Sequence, residues 1–369
     1  MKVNKFFQKC FKKVFQKIYI LFYGEIKEFK KFDKYAFKVT KIENIFLNKN
    51  KYNLNNHIYE IPNGRVYTDT VEHVAIIQDN IIIPKISYQQ IAGELKEERF
   101  NKVFSTGTPR LLKNVDGTML SLVQGASGNN YFHFLFDIIT KLKLCEQKIS
   151  LDKIDFFYVP NDFDWQKKIF LIFGIGAKKL INSKTYRHVK AKNIIAIDHP
   201  WYQNGYVQNE VENIPEWIIF WLREKFLNLS KRFECSKKIF IDRSESKFNH
   251  CKLTNNNEII EYLSTKGFES YQVGRLDFFE QIYLFNNAEI IIGPHGAAFT
   301  NLVFSNPGTN LIEIIPEDHP NKKCERFSKI LNIKYTRFKK PRLKNSDASG
   351  DMKVEIYELE NILKNINLN

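Results

Sequence analysis

The stretch Glu289-Ile-Ile-Ile-Gly-Pro-His-Gly-Ala-Ala-Phe-Thr-Asn-Leu-Val-Phe304 decides how this chain is read. Glu289 to Ile292, with three consecutive isoleucines, predict a buried strand. Gly293, Pro294, His295 and Gly296 predict a tight turn, and Ala297 to Phe304 a helix, apolar at Ala297, Ala298, Leu302 and Val303. A strand, a glycine turn and a helix N-terminus bring backbone N–H groups and the helix dipole to one point, which suits an anion. Gly296 permits close approach of a ligand to the backbone, and His295 adds a donor for a phosphate or sugar oxygen. The plainer reading is an ordinary βα turn of an open sheet, and the turn alone does not separate the two.

Working outward, the same alternation recurs on both sides. Strand Lys238 to Asp242, helix Asn257 to Thr265, strand Phe268 to Val273 and helix Asp277 to Asn286 precede the turn. Strands Leu311 to Ile315 and Lys334 to Phe338 follow it, and a loop over 341–351 leads to a closing helix, Val354 to Leu363. Nearer the N-terminus, His73 to Ile77 and Asn80 to Pro84 predict a hairpin around Gln78-Asp79. Strand Met119 to Val123 leads through Gln124–Asn130 to a helix from Tyr131. Strand Ile154 to Val159, helix Asp164 to Phe173 and strand Asn193 to Ile197 come next. This is α/β order in two series. It predicts two α/β domains in tandem, 56–214 and 215–340, with a ligand cleft between them, a bridging helix over 215–229 and a closing segment over 341–369. Residues 1–55 comprise a basic amphipathic helix and, over 25–55, a polar connection.

The 369 residues suffice for two domains, and 43% hydrophobic content is that of a globular protein. The formal charge is +15, from 56 basic and 41 acidic residues, which favours an anionic partner. The lysines are dispersed and no RRM, KH or helix-turn-helix signature occurs, which argues against nucleic acid. Five scattered cysteines without Cys-x-x-Cys spacing favour neither a disulfide framework nor a zinc site, and fit a reducing cytosol. No apolar run approaches a membrane span. In residues 1–22, Phe7, Phe11, Val14, Phe15, Ile18 and Phe22 share helical spacing among lysines, a pattern suited to an anionic membrane surface or to packing on the protein's own domain.

Four further features carry chemistry. Arg243 follows its strand directly, at the rim where open α/β sheets bind ligands, and a guanidinium there grips phosphate. Lys247 stands four residues on, and pairing of Arg243 with Glu245 is the alternative. Glu313 lies within an apolar strand, where a carboxylate is costly unless paired. It either accepts from ribose hydroxyls or faces solvent. His133 and Asp137, four apart, share a helix face. They form either a general-base pair or a core histidine satisfied by its neighbour. Asp162-Phe-Asp164 matches a metal-binding Asp-x-Asp, but equally a turn and a helix N-cap.

In this order the pieces resemble glycosyltransferase family 61, the group that includes bacterial capsular polysaccharide biosynthesis proteins. The resemblance runs over roughly 120–316 and rests on Asn130-Tyr-Phe-His-Phe-Leu-Phe-Asp137, Ile239-Phe-Ile-Asp-Arg243 and Gly267-Phe268. Its most specific block is Gly293 to Ala297 with Thr300-Asn301, Phe304, Pro307-Gly308 and Glu313-Ile314. Two departures stand out: Lys247-Phe-Asn-His250 carries no second arginine, and Ala298 stands where glycine is common. The resemblance implies a GT-B fold, two Rossmann-like domains facing a central cleft, and an inverting, metal-independent glycosyltransferase acting on a nucleotide-sugar donor and a glycan or lipid-linked acceptor, with no cofactor. The cysteine pattern and the basic helix over 1–22 together make a cytoplasmic protein, held at the inner face of the membrane, the expectation. The resemblance gives Arg243, Lys247, Gly293, His295, Gly296, Ala297, Thr300, Asn301 and Glu313 to the donor, and Asp137 or His133 to the base. Transfer of phosphate or pyruvate to a sugar, and a glycan-binding relative without turnover, are the alternatives.

Overall fold

The computed structural model describes the chain except residues 1, 31–35, 69–73, 88, 92, 105–109, 124–127, 129, 203–204, 207–209, 246–249, 344–349 and 367–369. It divides into two compact units, Met1–Val207 and Gln208–Asn369.

The first unit is built on a mixed sheet with nine strands among the described residues. Leu180–Asn182, Phe156–Val159, Lys113–Ser121 and His188–Ile197 lie side by side in that spatial order and run parallel. From His188–Ile197 the sheet continues antiparallel through Arg65–Thr68, Val74–Gln78 and Ile81–Ile82. Asp79 and Asn80 turn the last hairpin with φ of 49° and 63°, the left-handed pair that matches strand twist. That hairpin was expected, although His73 lies outside the described residues. Ile61, Val66, Ile76, Met119 and Ile194 are among the residues of its core.

The predicted polar connection over 25–55 is not one. Lys38–Leu47 and Asn50–Pro62 form a long antiparallel pair, turned by Asn48 and Lys49 at φ 46° and 68°. Ile42, Ile45 and Leu47 are buried, while Lys41, Glu43 and Phe46 beside them are exposed. A strand with one buried face needs only these few apolar residues, and the Lys and Asn abundance masks them.

In the second unit Glu269–Tyr271, Lys238–Ile241, Ile290–Pro294, Asn310–Pro316 and Lys334–Lys340 form an all-parallel sheet in that spatial order. Ile290–Pro294 is buried throughout, as a central parallel strand should be. Helix Ile356–Asn365, expected as a closing element, puts Leu359 and Leu363 into the core of this unit beside Ile259 and Leu263. The segment Ala297–Phe304 is a 3-10 helix rather than an α-helix, eight residues long, with Phe299 to Phe304 all buried. A helix that is apolar nearly all round is a buried one. Arg223 takes up carbonyls at its end, donating to Val303 at 2.6 Å and Ser305 at 2.7 Å.

Each sheet reverses its order of strand addition once. In the first unit this happens between Lys113–Ser121 and His188–Ile197. In the second it happens between Lys238–Ile241 and Ile290–Pro294. Ligands of open α/β sheets bind beyond the carboxyl ends of strands at such reversals.

Candidate functional site

The first reversal is occupied by a carboxylate with its donors. Asn130 caps the helix after Lys113–Ser121, its side chain accepting from Phe132 and His133 N–H groups. The helix then widens to a π-helix over Phe134–Ile139, a form often found at functional sites. Thr140 Oγ1 donates to the Leu135 carbonyl at 2.9 Å within it. Asp137, 1% exposed, receives His133 Nδ1 at 2.8 Å on one oxygen and Trp201 Nε1 at 2.8 Å on the other. His199 Nε2 lies 3.6 Å from the first oxygen. His199 and Trp201 come from the carboxyl end of His188–Ile197, so the cluster joins the two strands that flank the reversal.

Burial alone would raise the Asp137 carboxyl, but His199 and His133 together hold it well below the usual carboxylate range. The two histidines differ in state. His199 Nδ1 accepts from the Tyr202 N–H at 2.9 Å, so its proton sits on Nε2, facing Asp137, and burial keeps the ring neutral. His133 turns Nδ1 to the carboxylate, which leaves Nε2 as its acceptor atom. Lys141, one further turn on and buried, is pushed down to about 8 by burial, against the pull of Asp137 and Asp198.

The second reversal gathers Arg243 and the Gly293–Gly296 segment. Arg243 Nη1 donates to the carbonyls of His250, at 3.1 Å, and of His295. Glu245, its expected alternative partner, instead pairs with Arg275. The glycines have packing reasons. A Cβ on Gly293 would stand 2.7 Å from Ile241 Cβ, and one on Gly296 2.6 Å from Arg243 Cζ. Gly296 therefore admits a guanidinium, where a ligand was expected. Lys323, buried, donates its Nζ to the Gly296 carbonyl at 3.2 Å. Arg243 and Lys323, the latter lowered by its burial, thus hold the carbonyls of His295 and Gly296.

Glu313 is 1% exposed and does not face solvent. Its carboxylate takes His295 Nδ1 at 2.5 Å, Tyr335 Oη at 2.6 Å and Cys324 Sγ at 3.0 Å. The buried carboxylate is satisfied from within the unit, which differs from the ribose contact expected of it. Burial opposes ionisation, yet His295, Tyr335 and Cys324 bring Glu313 down to about 2. His295 itself is lowered, burial with Lys323 and Arg243 outweighing Glu313. It is therefore neutral, with its proton on Nδ1, and offers Nε2 as an acceptor rather than the donor expected for phosphate. His295, Glu313 and Cys324 also place one ligand-type atom each within 4.8 Å of one another. Burial raises the Cys324 thiol well above its ordinary value, so a metal there would have to displace that proton.

The remaining expected residues scatter. Asn301 is fully buried and donates to Gln281 Oε1 at 3.0 Å, which ties its segment to helix Phe278–Asn287 and differs from a sugar contact. Thr300 is fully buried, and its hydroxyl has no partner among the described residues. Ala297 is exposed at the start of the 3-10 helix. Lys247 lies outside the described residues, as does most of the 124–130 turn. Asp162 accepts from Asn182 at 2.9 Å and pairs with Lys184, while Asp164 pairs with Lys167. His199, Trp201, Lys323, Cys324 and Tyr335 were not anticipated. Asp198-His-Pro-Trp-Tyr202, polar and aromatic residues just past a strand, was the one available signal.

The buried neutral histidines predict acid sensitivity. Burial pushes His188 and His319 down to about 3, and His199 and His295 are lowered too. In the unfolded chain each returns to the ordinary value of about 6.5. Below that value the unfolded state binds more protons, so stability is full above it and falls as pH falls towards 3. Glu313 adds a second loss between its ordinary 4.5 and about 2. The urea midpoint should decline steadily from pH 7 to pH 5; a flat midpoint would contradict these protonation states.

Residues 131–312 match the family model Glycosyltransferase 61. The matched stretch opens on the helix of His133 and Asp137, includes Arg243 and His295, and ends one residue before Glu313. No curated protein matches the chain. Residues 131–312 are thus similar to glycosyltransferase 61 domains, which supports a glycosyltransferase acting on a donor sugar and an acceptor.

Proposed function

We propose that the protein is an inverting, metal-independent glycosyltransferase of GT-B type that moves a sugar from a nucleotide-sugar donor to a hydroxyl of a growing surface glycan. The second unit holds the donor and the first supplies the base. The observation that carries the reading is the state of His133: a buried, ionised Asp137 takes its Nδ1 proton and leaves Nε2 as the acceptor atom. Asp137, with both oxygens engaged, orients the ring and is not the base.

In the proposed reaction the acceptor hydroxyl oxygen forms a bond to the anomeric carbon as the bond to the diphosphate breaks. His133 Nε2 takes the hydroxyl proton, and the imidazolium is stabilised by Asp137. The diphosphate leaves with the electron pair. Arg243 and Lys323 supply the positive potential near the Gly293–Gly296 segment. His295, neutral, accepts from a ribose or sugar hydroxyl, and Glu313 fixes its tautomer. Release of nucleoside diphosphate from nucleotide sugars in EDTA, with proton NMR of the product's anomeric centre, tests this. Release only with manganese, or a retained configuration, would sink the mechanism.

Helix Lys2–Tyr23 supports attachment to an anionic membrane surface. Tyr19 packs on Tyr67 and His188 of the first unit, yet Phe11 is 60%, Phe22 73% and Leu21 83% exposed. No helix among the described residues is long and apolar enough to cross a membrane. Co-sedimentation with phosphatidylglycerol vesicles should be strong at low salt and weak at high salt, and Phe11→Asp with Leu21→Asp should abolish it. Equal recovery with phosphatidylcholine vesicles would argue against the basic face.

A further inference from the structure

The first unit contains a cavity of about 420 Å³ that the proposed chemistry does not use. Asn55, His57, Lys85, Asp198, His199 and Tyr202 are among its lining residues. The volume falls within the range of small-molecule sites, about 300–1,000 Å³. Asp198 and His199 follow strand His188–Ile197, so the cavity lies at the carboxyl end of a strand flanking the reversal.

Its chemistry is built. Asp198 Oδ2 receives both the backbone N–H and the Nδ1 of His57, each at 2.8 Å. That fixes the His57 proton on Nδ1 and leaves Nε2 as an acceptor on a ring whose side chain is 27% exposed. Asn56 Nδ2 donates to the His199 carbonyl at 3.1 Å, which fastens this strand to the wall of the cavity. Two backbone irregularities border it. The strand register slips between Ile42 and Asn44 against Asn56 and Asn53, so Leu54 and Asn55 bulge, and bulges re-aim side chains near functional sites. Lys85 stands at φ 65°, left-handed for a residue with a Cβ.

The charges around the cavity do not favour an anion. Lys96 pairs with Glu94 and Glu97 with Arg99, Lys85 and Glu98 carry opposite signs, and Asp198 accepts from His57 Nδ1. Such a lining, with an amide and a phenol, suits hydroxyl groups. His199 is shared: it lines the cavity and lies 3.6 Å from Asp137, so one ring separates the cavity from the carboxylate that orients His133.

We propose that this cavity is a saccharide subsite of the first unit, taking an uncharged, hydroxyl-rich sugar ring of the acceptor, with His57 Nε2 and Asn55 as its reading groups. The inference rests on the glycosyltransferase reading for the word acceptor, but binding can be tested without turnover. The probes are the methyl glycosides of glucose, galactose and N-acetylglucosamine, followed by saturation-transfer difference NMR with the full-length protein. At least one should give a signal with wild type that falls tenfold or more in His57→Gln. Asn55→Ala, a change at an exposed strand position, serves as the second variant where His57→Gln fails to fold. Lys334→Ala, at an exposed position of the other unit, should keep the signal. No signal from any of the three with wild type, or one unchanged in both cavity variants, overturns the subsite. Nucleotide binding measured in parallel separates the two failures: intact nucleotide binding without saccharide binding removes the subsite alone.

Discussion

Replacement of His133 by alanine is expected to lower the turnover of sugar transfer by about 10²–10⁴-fold, the usual contribution of a positioned general base. The donor KM should change little, because His133 belongs to the first unit and the proposed donor residues to the second. Asp137 gives a different signature. Its carboxylate satisfies His133 and Trp201 directly and faces His199, all in a dry environment. Asp137→Ala leaves those buried donors without their acceptor, at a cost of about 1–3 kcal/mol for each one unsatisfied. For a unit of this size that lowers Tm by on the order of 10 °C. His133→Ala should therefore be stable and inactive, and Asp137→Ala both unstable and inactive. Full transfer in a stable His133→Ala protein would remove the base assignment.

The second large effect is expected at Gly296. A methyl there would overlap Arg243, with Cζ, Nη1 and Nε at 2.6, 2.7 and 2.8 Å from the added carbon. Arginine side chains bend, but this guanidinium is fastened to the carbonyls of His250 and His295. Moving it gives up charge-assisted hydrogen bonds worth about 1.5–3 kcal/mol each. Gly296→Ala should weaken nucleotide affinity at least tenfold. A double-mutant cycle isolates the cause: in Arg243→Ala the added methyl meets no guanidinium, so Gly296→Ala should then cost little. Equal costs in both backgrounds would mean that the glycine serves the ligand directly.

What the sequence discloses and what it hides can be traced residue by residue. The parallel strands of the second unit are legible because a strand buried on both faces is a continuous apolar run, as in Ile290-Ile-Ile292. The strand pair over 38–62 is hidden because one buried face needs only Ile42, Ile45 and Leu47 among many lysines and asparagines. Within the site, the His133–Asp137 pair is legible from helical spacing alone. The partners of Glu313 are not: His295, Cys324 and Tyr335 come from three separate segments, and only the parallel register brings them to one carboxylate. Composition points the wrong way for Lys323, since a lysine at the start of a helix reads as a solvated charge and here is buried beneath a glycine carbonyl. Asn301 fails in the opposite sense, polar in sequence yet committed to Gln281 inside the fold.

Thermal unfolding with UDP, GDP, CDP, CMP and ADP, each in EDTA or in manganese, tests the central claim most directly. A nucleotide present at about 100 times its dissociation constant stabilises the folded state by roughly 2.7 kcal/mol. At least one nucleotide should raise Tm equally in EDTA and in manganese, and the rise should shrink in Arg243→Ala. No rise with any nucleotide, or a rise that requires manganese, would contradict the claim.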